Sequence, residues 1–135
     1  MQRCEEVVNE CYIVLRENRS SVKFINQELA CVLKVKIDGC LDSSGERCDY
    51  LISTQNENYF IELKGKNILK ALQQIISSIN DHNKRYGDKT CVAVISATRV
   101  PAVTSFQKAY LTARRNCQVL AAQYHLSSSG VTIYI

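Results

Sequence analysis

Between residues 47 and 65 the chain reads Arg47-Cys48-Asp49-Tyr50-Leu51-Ile52, then a polar Ser53-Thr54-Gln55-Asn56-Glu57-Asn58, then Tyr59-Phe60-Ile61-Glu62-Leu63-Lys64-Gly65. Two apolar runs rich in aromatic and β-branched residues, separated by a short polar stretch, predict a hairpin. Strand side chains alternate, so Glu62 and Lys64 project from one face while Ile61 and Leu63 project from the other. A turn centred near Gln55 and Asn56 sets Asp49 opposite Glu62, to within a residue or two of register. Three ionisable groups then converge on one point of a sheet. An acid and a lysine so spaced most often mark a solvated face, where the pair contributes only about 0–1 kcal/mol. This pair is set apart by the acid on the partner strand, by Gly65, and by the helical periodicity that follows.

The neighbouring segments supply an order of elements. Val7, Val8, Cys11, Tyr12 and Leu15 fall at helical spacing, which predicts an amphipathic helix over residues 4–17 and a polar break at 18–21. From Leu29 to Ile37 a continuous apolar run turns into strict alternation, the pattern of a first strand. A turn through Asp38-Gly39 and Ser43-Ser44-Gly45 leads to the Asp49 strand, so residues 31–37, 48–54 and 59–64 form an antiparallel meander. Ile68, Leu69, Leu72, Ile75, Ile76 and Ile79 give the next helix, about 67–84, its buried face. Residues 91–96 are a short apolar strand, which a right-handed crossover places parallel to the Glu62 strand. Pro101 opens a helix over about 103–117, and 118–135 read as a closing hairpin. The result is a single α/β domain: an αβββαβ core with a mixed central sheet flanked by helices, plus a C-terminal helix and β-hairpin.

An Asp on one strand and Glu-x-Lys on the next, in this order of elements, resembles the PD-(D/E)XK nuclease superfamily. Asp49 matches the first acid, Glu62 and Lys64 the second half, and Cys48 stands where the motif has Pro. Ala71-Leu72-Gln73-Gln74-Ile75 resembles the glutamine element of the family's next helix, with Gln74 the better match and Gln73 the second. The resemblance covers residues 1–100 by order of elements and a handful of positions by identity. It implies Mg2+ or Mn2+ held by Asp49, Glu62 and the backbone carbonyl of Leu63. It implies that Lys64 orients water and stabilises developing charge, and that Gln74 positions water, Lys64 or the phosphate. Glu6, Glu10 or Glu28 would be accessory acids, although plain solvent-facing glutamates are commoner. The implied reaction is hydrolysis of nucleic-acid phosphodiesters, DNA before RNA. Many members keep the fold and lose the chemistry, which leaves a catalytically silent binding, immunity or regulatory protein as the other reading.

Composition limits the partners. Seventeen basic against 13 acidic residues give +4, which permits a phosphate-rich partner without demanding one. Lys84, Arg85, Lys89, Lys108, Arg114 and Arg115 are the candidates for phosphate contacts, against solvated faces and helix ends as the ordinary explanation. At 135 residues there is room for one core and no separate recognition domain, so a homodimer or larger protein partner is the expected source of added affinity. The seven cysteines form no CxxC pair, and His82 and His125 are isolated, which excludes a zinc ribbon. With no long apolar span and no secretory signal, the expectation is buried thiols in a reducing cytoplasm and no membrane contact.

Overall fold

The computed structural model describes residues 3–17, 20–42, 45–65, 67–98 and 103–135, apart from the side chains of Lys64 and Val103. The predicted break at Asn18 and Arg19, the turn at Ser43-Ser44, and Pro101 lie outside these residues. Strands β1 (Glu5–Val8), β2 (Tyr12–Glu17), β3 (Ser20–Ile25), β4 (Val32–Lys36), β5 (Tyr50–Ser53) and β6 (Glu57–Gly65) precede helix α1 (Ile68–His82). Then come β7 (Thr90–Ala97), helix α2 (Val103–Asn116), β8 (His125–Ser127) and β9 (Val131–Tyr134). One mixed sheet has the order β1-β4-β5-β6-β7-β8, and a smaller one the order β2-β3-β9.

The α/β class and its mixed central sheet are therefore as expected. The β4-β5-β6 meander is antiparallel, and α1 carries the chain across to β7, which lies parallel to β6 with Glu62 beside Ile95. Asn67 starts α1 by accepting hydrogen bonds from the Leu69 and Lys70 amides at 3.1 Å, in the manner of an N-cap.

Two expectations about the elements need correction. The predicted first helix is instead β1 and β2: Ile13 and Leu15 are buried while Tyr12, Val14 and Arg16 are exposed, a period of two. The apolar residues of 4–17 fit both periods, and β-branched Val7, Val8, Ile13 and Val14 suit a pleated surface better than a helix. The closing hairpin is absent: β8 runs parallel to β7 in the large sheet, whereas β9 runs parallel to β3 in the small one. The turn at Ser128–Gly130, with Gly130 at φ +100°, passes the chain from one sheet to the other.

Alternation along β6 and β7 divides the core between two faces. Leu51, Phe60, Ala93 and Ile95 meet Leu72, Ile75 and Phe106 of the helices. Ile52, Tyr59, Ile61, Val92 and Val94 meet Ile13, Leu15, Val22, Phe24 and Ile133 of the small sheet. Helices, large sheet and small sheet thus form three layers.

Free thiols were the expectation for every cysteine, but Cys4 and Cys40 are disulfide-bonded, their Cα atoms 5.6 Å apart. Antiparallel pairing of β1 with β4 brings Cys4 beside the turn that follows Lys36, a neighbourhood a helix over 4–17 would not create. Cys48, Cys91 and Cys117 are buried free thiols, as anticipated, whereas Cys11 is half-buried and Cys31 is exposed. Among the described residues no helix is long and apolar enough to cross a membrane.

Candidate active site

Asp49 sits one residue before β5, and the pairing of Tyr50 with Ile61 sets it beside Glu62. Its Oδ2 accepts the Leu63 amide at 2.7 Å, so the carboxylate is pinned to the end of β6. The two carboxyls are electrostatically coupled, and the Asp49 charge raises the affinity of Glu62 for its proton. Glu62 is only 9% exposed, and its Oε1 is buried with no hydrogen-bond partner among the described residues. Burial first, and the Asp49 charge second, push the Glu62 carboxyl up to about 9, and burial also raises Asp49. The convergence expected of the two acids is therefore present.

A cavity of about 350 Å³ opens in front of Asp49, lined by Arg16, Glu17, Lys36, Asp38, Asp49 and Tyr50. Glu17 comes from the end of β2 and Asp38 from the turn after β4, and both raise the affinity of the Asp49–Glu62 pair for protons. Neither was anticipated as a site residue, nor were Arg16 and Lys36. Only docking of the small sheet brings β2 to this place, and the sole sequence signal was alternation in residues 32–37. Glu6, Glu10 and Glu28, the accessory acids considered, do not line the cavity.

The other expected residues divide. Leu63 lies in β6 next to Glu62, its side chain packed between the sheets. Lys64 belongs to β6 by its backbone, where register steps from Leu63–Ser96 to Gly65–Ala97, an irregularity of the kind that accumulates beside active sites; its side chain lies outside the described residues. Gln74 donates to the Arg47 carbonyl at 3.3 Å, and Ser78 accepts the Cys48 amide at 2.9 Å while donating to the Gln74 carbonyl. These bonds from α1 fix the segment entering Asp49, so Gln74 acts as a positioning residue in this arrangement.

The expected phosphate contacts lie elsewhere. Lys84, Arg85 and Lys89 flank the start of β7, which pairs with Glu57, five residues and hence about 17 Å from the Glu62 level. Arg85 pairs with Glu5 at 3.6 Å, and Lys89 donates to Ser53 and Thr54. Arg114 donates to the Leu120 carbonyl beside Cys91, at that same far end, with Arg115 next to it, and Lys108 is exposed midway along α2.

A second cluster of two carboxylates and an imidazole, Asp42, Asp81 and His82, has ligand atoms within 4.8 Å of one another. The Arg47 guanidinium binds Asp42 at 2.6 Å and also pairs with Asp81, so a cation is already supplied by the chain. A larger cavity of about 680 Å³ between the helices, walled by Leu69, Leu72, Ile76 and Ala113, carries no acid, lysine or arginine.

The raised Glu62 carboxyl makes stability depend on pH. Unfolded, this group titrates near its ordinary 4.5; folded, it holds its proton to about 9. Between those values the native state binds the extra proton, so this group's contribution is fully present below about pH 4.5 and is lost as pH rises towards 9. Thermal melts in a chelator should show Tm falling over that interval, with the fall flattened in Glu62→Gln. A wild-type melt that stays constant or rises from pH 5 to 9 would contradict this assignment.

The chain matches no family model, no curated protein and no solved structure.

Proposed function

We propose that the chain is a divalent-metal-dependent nuclease of the PD-(D/E)XK kind, acting on nucleic-acid phosphodiesters, DNA before RNA. The observation that carries this reading is Asp49 on the wall of a cavity that also holds Lys36 and Arg16, with Glu62 behind it, buried and with its Oε1 unpartnered among the described residues. A divalent cation would take the place of the proton that burial and the Asp49 charge keep on Glu62, and an all-oxygen donor set suits Mg2+ or Mn2+ over softer metals. Asp49 and Glu62 would hold the ion, with the Leu63 carbonyl as a third donor. When bound, the ion supplies Lewis-acid polarisation of the phosphate and a more acidic water.

The rest of the work falls to the chain. Glu17 and Asp38 add negative potential that favours a cation over a proton vacancy at the pair. Lys36 and Arg16, on the cavity wall, meet the anionic backbone of the substrate. Lys64, two residues beyond Glu62, would stabilise charge developing on the phosphate. A catalytically silent module is favoured by one observation, the engagement of Gln74 with Arg47 rather than with the acids. A cytoplasmic setting goes with the nuclease reading; the buried thiols Cys48, Cys91 and Cys117 suit it, whereas a reducing compartment would open the Cys4–Cys40 bridge.

Calorimetric titration of Mn2+ into the wild type, Asp49→Asn and Glu62→Gln tests the metal site. Binding in the wild type, weakened about a hundredfold or more in both variants, is the expected result. Equal binding in all three, or none in a folded wild type, would dismiss the site and leave the silent module.

A further inference from the structure

The outer face of the small sheet has the composition of a binding surface. Tyr12 on β2, Ile25 on β3 and Tyr134 on β9 form one cross-strand row, in which the two tyrosines are 60% and 67% exposed. Large side chains with that exposure are ordinary when single, but here two aromatic rings share a row. The next row, Val14, Lys23 and Thr132, sets the Lys23 ammonium 5.4 Å from the Tyr12 ring centre. Arg16 comes next along β2, at the cavity that holds Asp49.

From the tyrosine row to Arg16 is four residues of strand, about 13 Å. The outward positions of the three strands thus carry two aromatic rings, two cations and no carboxylate. Glu17 follows in the alternation and belongs to the acid cavity instead. Aromatic rings standing out of a sheet among cations match unpaired bases joined by phosphates. In a duplex those base faces are stacked on one another and out of reach.

We propose that this face binds single-stranded nucleic acid, stacking bases on Tyr12 and Tyr134, holding phosphates with Lys23 and Arg16, and leading the strand to the Asp49 cavity. The delivery part rests on the nuclease reading; the binding part does not.

Fluorescence anisotropy in a chelator isolates binding from chemistry, with labelled oligothymidylate and oligouridylate of about 12 nucleotides and a duplex of the same length as probes. The single strands should bind about tenfold or more tighter than the duplex, and the two arms rank DNA against RNA. Tyr12→Ala and Tyr134→Ala should each weaken single-strand binding about tenfold, and together more. Lys23→Gln should lower the dependence of log affinity on log salt by about 0.7, which a merely structural lysine would not do. All four side chains are exposed or half-buried at the surface, and Tyr12→Phe, which keeps the ring, should retain binding. Preference for duplex, or single-strand affinity unchanged by the tyrosine substitutions, overturns the proposal. So does a dimer in the wild type that Tyr12→Ala dissociates without loss of oligonucleotide affinity, since a second copy would then be the occupant. Single-strand binding without metal-dependent cleavage in the wild type would sink the nuclease reading alone.

Discussion

Glu62→Gln is expected to lower metal-dependent cleavage about a thousandfold while making the metal-free protein more stable at neutral and alkaline pH. Both effects come from one atom. The buried Oε1 has no donor among the described residues, and burial keeps the carboxyl protonated to about 9. A neutral amide of the same shape ends that conflict, so the metal-free fold gains. The same exchange removes an anionic ligand, and several kcal/mol of transition-state stabilisation goes with it, which corresponds to three decades or more in rate. Cleavage assays on plasmid and single-stranded substrates in Mn2+, alongside melts of the same preparations in chelator, read the two together. Lost cleavage with lowered stability would mean that Glu62 is a structural carboxyl; gained stability with undiminished cleavage would exclude it from the chemistry.

The part of this site legible in the sequence is the part set by local arithmetic. Asp49 immediately precedes β5 and Glu62 lies on β6, two strands joined by a short polar turn, so their meeting needed only alternation and register. α1 and β7 announced themselves equally, one by a long apolar stripe and the other by an unbroken apolar run. Residues 4–17 did not, because Val7, Val8, Cys11, Tyr12 and Leu15 satisfy the helical period as well as the strand period over so short a stretch. From that ambiguity the remaining misses follow. Without β2 and β3 there is no second sheet, no reason for Glu17 or Arg16 to approach Asp49, and no partner for Val131–Tyr134 other than a hairpin. Without β1 beside β4 nothing brings Cys4 to Cys40. Basic residues that cluster in sequence, such as Lys84, Arg85 and Lys89, stand away from the cavity, whereas Lys36 and Arg16 reach it singly, from separate sheets.

Because the small sheet supplies Arg16 and Glu17 to the cavity wall, its packing should control the site from a distance. Phe24 is the pivot: it is fully buried and meets Tyr59 of β6 edge-on, with ring centres 5.3 Å apart. Phe24→Ala should cost about 3–5 kcal/mol, the usual loss for a buried aromatic, including part of an aromatic pair worth about 1 kcal/mol. Urea unfolding measures this directly. The functional consequence is more specific. A loosened β2-β3-β9 layer shifts Glu17 and Arg16 relative to Asp49, so Mn2+ affinity should fall even under conditions where the variant remains folded. Phe106→Ala provides the contrast, since Phe106 is equally buried but packs on the helix side against Tyr110 and Tyr124. It should lose comparable stability and leave Mn2+ affinity nearly unchanged. Equal losses of metal affinity in the two variants would show that the cavity senses general stability, not the docking of the small sheet.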